Sequence, residues 1–183
     1  VDQIDAAIWH LAGLAGGDIP NEMIPFAAKH AMVAIDVQTM LRWVENGGMV
    51  YHDWAEKKEL LPYVRFLKTD AAEAEILTGL TDRAEAAKLL HSWGAKEVLI
   101  THNTEVLAYD GNKVYTCPIK ARNLSGRTGR GDTTFAGYIA ERQRDSVEEA
   151  LNFCTALVSL KMETPGPFKG TREDVLAYMK EFY

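Results

Sequence analysis

The chain has 183 residues, 47% of them hydrophobic and 25% charged, with a formal net charge of −6. That is enough sequence to bury a sizeable core within one domain. The acidic balance, without any lysine- or arginine-rich run, excludes the basic stripe of a nucleic-acid binder, and no apolar run reaches the length of a membrane-spanning helix.

Taken in order, short apolar runs alternate with helical patterns, which predicts an α/β fold with a mostly parallel sheet flanked by helices. Residues 6–11 read as an opening strand, 13–17 as a glycine-rich turn and 21–30 as a helix. Residues 32–36 form a buried strand with Asp36 at its C-terminal end, and 63–69 form the next. Helix starts are marked by capping pairs: Asp70 with Glu73, Asp82 with Glu85, Ser146 with Glu149 and Thr171 with Asp174. Gly79 and Gly94 stand where C-terminal caps are expected. Residues 96–101 read as a strand ending at Thr101. A hairpin of 105–109 and 113–117 follows, turned at Asp110-Gly111-Asn112. Residues 147–162 are apolar on nearly every side, as expected of a buried helix. Cys117 and Cys154 are far apart and in no metal-ligand spacing, consistent with two ordinary thiols in a reducing compartment. A cytoplasmic small-molecule enzyme is the class that remains.

The segment richest in chemistry is Ser125-Gly126-Arg127-Thr128-Gly129-Arg130-Gly131-Asp132-Thr133-Thr134-Phe135-Ala136-Gly137. Glycines at alternate positions run directly into a helix. Free N–H groups and the macrodipole at such a start make an anion site, and glycines let a phosphate approach the backbone. An aspartate there can accept a proton from a hydroxyl attacking the phosphate. The same spacing also describes a glycine-rich turn with Asp132 merely opening the helix, and it leaves both readings open. No Gly-Lys-Ser/Thr follows, so it is not a Walker loop.

Thr128-Gly129-Arg130-Gly131-Asp132 resembles the second signature of the ribokinase/PfkB carbohydrate kinases, Asp-Thr-x-Gly-Ala-Gly-Asp-x-Phe-x-x-Gly, with Gly137 matching the last glycine. Gly126 stands in place of the first aspartate, Arg130 in place of alanine and Thr134 in place of phenylalanine. The missing aspartate bears on any monovalent-cation site of the ribokinase kind. The resemblance implies a ribokinase-like, doubly wound fold with a hairpin and helices towards the C-terminus. It also implies Asp132 as general base and Gly129, Arg130 and Gly131 as the anion hole.

Further matches are collinear. Asp70-Ala71-Ala72-Glu73 resembles the family's Asn-x-x-Glu, which implies Glu73 and Asp70 beside Mg²⁺, although the two also make a good capping box. Thr101 and Asn103 resemble the nucleotide-contacting turn, with Asn103 and Val106 where glycines are common. Thr128, Thr155 and Gly166 fall at further nucleotide positions, Gly166 in the Thr164-Pro165-Gly166 loop. Asp36-Val37-Gln38 with Arg42 resembles the family's Asp-x-Asn-x-x-Arg, which implies Asp36 and Arg42 on the substrate side; equally, the two pair only with each other. Arg127 is expected near a substrate anion. The five histidines show no ligand spacing.

The expected activity is ATP-dependent phosphorylation of a hydroxyl on a sugar or sugar-like molecule, with ATP and Mg²⁺ as cofactors. The alternatives are a nucleoside kinase of the same fold and a non-catalytic, kinase-like ligand-binding domain. The expected partner is a small-molecule sugar or nucleoside, with no nucleic acid and no membrane, and a homodimer is compatible with it. Residues 1–183 are expected to be a single α/β domain, the C-terminal portion of such a kinase, with the sugar-site and lid segment lying outside it.

Overall fold

A computed structural model describes residues 5–183. The elements run β1 (Ile8–Leu11), α1 (Met23–Ala27), β2 (Met32–Asp36), α2 (Gln38–Leu41), β3 (Arg42–Glu45), β4 (Gly48–Tyr51) and α3 (Lys57–Leu60). A 3₁₀ turn at Leu61–Tyr63 leads to β5 (Val64–Asp70), α4 (Ala71–Thr78), α5 (Arg83–Ser92) and β6 (Glu97–Thr101). Then come β7 (Glu105–Tyr109), β8 (Val114–Pro118), α6 (Arg130–Glu141), α7 (Val147–Met162) and α8 (Arg172–Phe182). The main sheet has the order β1-β2-β5-β6-β7-β8, and β3 and β4 form a separate pair. β1 with β2 and β2 with β5 are parallel. The mostly parallel α/β class expected from the sequence is the one the chain forms. Its contacts divide it into two compact units, Val1–Ile100 with Tyr109–Lys113, and Thr101–Ala108 with Val114–Tyr183.

In the first unit, Val33, Ala34 and Ile35 of β2, Phe66 and Leu67 of β5 and Val98, Leu99 and Ile100 of β6 are all buried. Consecutive buried residues mean that both faces are covered, the signature of interior parallel strands. α1 is shorter than the helix predicted for residues 21–30. Its continuation is held as turns by Ala28 N–H to Ile24 O and His30 N–H to Ala27 O. α4 begins in a complete capping box between Asp70 and Glu73 and ends at Gly79 with φ 73°. At α5 the Asp82 side chain alone caps, accepting from Ala84 and Glu85 N–H. The antiparallel β3–β4 pair was not anticipated. Asn46 (φ 51°) and Gly47 (φ 78°) make the turn between them, as two-residue hairpin loops with both central residues at positive φ do.

In the second unit, α7 spans the predicted residues 147–162 and its Ser146–Glu149 capping box is complete. Gly137 on α6 faces it. A Cβ there would lie 2.7 Å from Leu157 Cδ2 and 3.4 Å from Cys154 Cβ, so a larger residue would require the Leu157 side chain to move. α8 opens with the Thr171–Asp174 box and closes over Phe153 and Ala156 through Val175 and Tyr178. Burying each such large side chain contributes about 1.5–3 kcal/mol.

Between β8 and α6 the chain runs without regular structure but is strapped to the two helices beside it. Lys120 N–H donates to Ser159 Oγ (3.1 Å), and Lys120 O accepts from the Tyr178 hydroxyl (2.8 Å). Arg122 N–H donates to Glu163 Oε1 (2.9 Å), the Ser125 hydroxyl to Glu163 O (2.8 Å) and Gly126 N–H to Met162 O (2.7 Å). Arg122 and the Tyr178 hydroxyl hold the Glu163 carboxyl below its usual range.

Candidate functional site

The strapped segment delivers the glycine loop to the start of α6. Gly129 is the residue before the helix and takes φ 75°, a left-handed conformation that glycine adopts without strain. Gly126 is buried, and a Cβ on it would overlap the Thr164 carbonyl. An aspartate at this position would require the Thr164 carbonyl to move. The N–H groups of Arg127, Gly129, Gly131 and Asp132 have no protein acceptor among the described residues, whereas Thr133 N–H reaches Gly129 O at 3.0 Å. Unfilled donors of this kind, added to the positive end of the helix, favour an anion. Asp132 is exposed in the first turn of α6, and its Oδ2 lies 3.9 Å from where a Gly129 Cβ would be. It is not packed into a core.

Two arginines flank the loop. Arg127 Nη2 (3.1 Å) and Arg130 Nη1 (2.6 Å) both donate to Asn103 Oδ1. The three residues named separately from the sequence are therefore one cluster. On the inner side of the loop lies Lys161, a residue the sequence reading missed. It is 2% exposed, and its ammonium donates to Gly126 O at 2.6 Å and to Thr128 O. Thr155 is entirely buried and its hydroxyl donates to Leu151 O at 2.7 Å, so it belongs to the packing of α7. Gly166 takes φ 86° in an exposed turn, and Thr128 is exposed.

The first unit holds a second cluster at the ends of β2 and β5. Lys68 Nζ lies 2.8 Å from Asp36 Oδ2 and 4.0 Å from Glu73 Oε2, and all three residues are at most 4% exposed. Asp36 therefore pairs with Lys68. Arg42 pairs instead with Gln38 Oε1 (2.7 Å), so the alternative in which Asp36 and Arg42 pair only with each other does not form. Burial opposes the charge on Lys68, but the carboxylates of Asp36 and Glu73 more than offset it and its pKa is raised. Burial also pushes the Glu73 carboxyl up to about 7, against the pull of Lys68. Glu73 Oε2 accepts from Asp70 N–H (2.8 Å) and Asp70 Oδ1 from Glu73 N–H (2.9 Å), so each carboxylate keeps one oxygen out of the cap. Thr101, at the end of β6, is buried.

The profile of the pfkB family carbohydrate kinases matches residues 6–173. The chain belongs to the pfkB family. Among solved structures, a pyrophosphate-dependent kinase of the ribokinase family, complexed with a pyrophosphate analog and myo-inositol, is 37% identical with a TM-score of 0.89, covering 96% of this chain and 64% of that one. Ribokinase of Arabidopsis thaliana, complexed with ribose and ATP, is 25% identical with a TM-score of 0.77, covering 96% of this chain and 56% of that one. A cytidine kinase of Thermococcus kodakarensis is 37% identical over 90 residues, 48% of this chain and 32% of that protein. The pfkB chain described here thus spans less than two thirds of each of these relatives.

Proposed function

We propose that this pfkB chain carries phosphoryl-transfer machinery for phosphorylating a hydroxyl on a sugar or sugar-like polyol. The observation that carries the reading is the start of α6, where backbone N–H groups without acceptors stand beside an exposed Asp132. In the step proposed, an Asp132 carboxylate oxygen takes the proton of the acceptor hydroxyl. The hydroxyl oxygen then bonds to the terminal phosphorus of the donor. The bond from that phosphorus to its bridging oxygen breaks, and the leaving phosphate carries away the electron pair. Charge on the transferring group is met by the N–H groups of Gly129, Gly131 and Asp132, which need no reorganisation at that moment.

Glu73 and Asp70, each with an oxygen outside the capping box, suit an ion that keeps most of its water and binds through one or two carboxylates, as Mg²⁺ does. Held there, Mg²⁺ would offset the negative charge of the two carboxylates.

ATP is the donor expected from the family resemblance. A second reading, pyrophosphate as donor, is favoured by a specific observation: Arg127 and Arg130 are gathered on Asn103 beside the loop, and Thr155 is fully buried with its hydroxyl on Leu151 O. Paired guanidiniums match a small, highly charged phosphate, and the pyrophosphate-dependent relative is 37% identical. The test is phosphate transfer followed by ³¹P NMR with the full chain, crossing ATP and pyrophosphate with myo-inositol, ribose and cytidine. Product from at least one pair, lost in Asp132→Asn, is expected. No product from any pair, with the chain folded, would refute the kinase reading. Product with ATP and none with pyrophosphate would refute the second reading alone.

A further inference from the structure

We propose that Lys161 is a positioning residue whose buried ammonium sets the direction and strength of the anion loop's donors; the inference rests on the kinase reading of that loop. Lys161 lies in the last turn of α7, on a helix whose other buried side chains are apolar except for Thr155 and Ser159. Among the described residues no carboxylate pairs with it, and its hydrogen-bond acceptors are the carbonyls of Gly126 and Thr128. A buried cation without a counter-ion is costly. Three features offset the cost here: the two carbonyls, the negative end of the α7 dipole, and an anion when the loop holds one.

The geometry of the peptide bond turns this contact into a statement about the opposite face of the loop. In a trans peptide the C=O and the following N–H point in opposite directions. Holding Gly126 O and Thr128 O towards Lys161 therefore turns the N–H groups of Arg127 and Gly129 away from it. These are two of the donors with no protein acceptor. The ammonium also polarises both peptide groups, which strengthens those N–H groups as donors, as in any hydrogen-bonded chain in a low-dielectric setting. Gly126 N–H is fixed at the same time to Met162 O, one residue beyond Lys161, so the loop is clamped to the end of α7 by backbone and side chain together. The absence of a side chain at Gly126 is part of the same arrangement, because the Thr164 carbonyl fills the place a Cβ would take.

The test compares wild type with Lys161→Ala and Lys161→Met in the full chain, with added methylammonium chloride or, at equal ionic strength, tetramethylammonium chloride. Turnover in the variants should fall by about 10²–10³, the loss typical of a removed oxyanion donor, with the acceptor KM nearly unchanged. Methylammonium, small enough to replace the lost amine, should restore part of the turnover in Lys161→Ala, and tetramethylammonium should not. Wild-type turnover in a folded Lys161→Met would overturn the proposal, as would a loss in folded Lys161→Ala that methylammonium leaves untouched.

A measurement on wild type covers the case in which the variants do not fold. The ¹⁵Nζ signal of Lys161 should shift when sulfate or pyrophosphate saturates the loop, and an unmoved signal under saturating anion overturns the proposal. Because this anion readout needs no turnover, a chain that transfers no phosphate yet shows the shift would refute the kinase reading and leave the role of Lys161 standing.

Discussion

Replacing Glu73 with glutamine should stabilise the protein at alkaline pH. The carboxyl is 3% exposed and its pKa is raised by burial from 4.5 to about 7. Between those two values the folded chain holds a proton that the unfolded chain releases, so stability falls as pH rises through the window. The contribution is fully present below pH 4.5 and gone above about 7. A difference of about 2.5 units corresponds to roughly 3 kcal/mol at 1.36 kcal/mol per unit. Glutamine is nearly isosteric and still serves at the third position of a capping box, so the bond to Asp70 N–H survives while the buried charge does not. Unfolding in guanidinium chloride at pH 5, 6, 7 and 8, with the slope held common, should show Glu73→Gln gaining on wild type by up to about 3 kcal/mol at pH 8 and by little at pH 5. Millimolar Mg²⁺ should narrow the gap by favouring the wild-type carboxylate. A stability difference that stays flat from pH 5 to pH 8 would refute burial as the cause.

Asp132→Asn should keep donor affinity and lower turnover by roughly 10²–10⁴, read by single-turnover kinetics; a change of only a few-fold removes the base. Arg130→Ala removes a charge-assisted donor worth about 1.5–3 kcal/mol, so the pyrophosphate KM should rise about 10- to 100-fold. An unchanged KM for every donor would place Arg130 outside the donor site. Gly129→Ala must hold a side chain at φ 75°, which costs about 1–2 kcal/mol, and a midpoint equal to wild type would mean that the loop relaxes.

Local chemistry made much of the fold readable. The capping boxes at Asp70, Ser146 and Thr171 are short-range patterns, and all three form. The strand Met32–Asp36, announced by a short apolar run, and the helix Val147–Met162, apolar on nearly every side, occur with those bounds. The β3–β4 hairpin was equally local, since Asn46-Gly47 between Trp43-Val44 and Met49-Val50 is a strong turn signal. The partner of Asp36 was a different matter. Lys68 is 32 residues away, and only the register of β2 against β5 brings the two together. The three-residue meeting at Asn103 and the reach of Lys161 to the glycine loop likewise depend on tertiary placement. Periodicity and caps carry no such information.

The strapping of the segment from Pro118 to Gly126 has a thermodynamic consequence for whatever anion the loop receives. A stretch of chain without helix or strand would ordinarily lose about 1–2 kcal/mol of backbone freedom per residue on becoming fixed. Here Ser159, Tyr178, Glu163 and the end of α7 hold it before any ligand arrives, and the Tyr183 hydroxyl adds a bond to Pro118 O. An anion therefore meets a loop whose ordering was completed during folding, and its affinity is not reduced by that cost. Tyr178, remote in sequence from the glycines, would then act on the proposed anion binding through entropy. Removing its hydroxyl should weaken anion affinity while leaving the binding enthalpy close to that of wild type, a signature calorimetry can read.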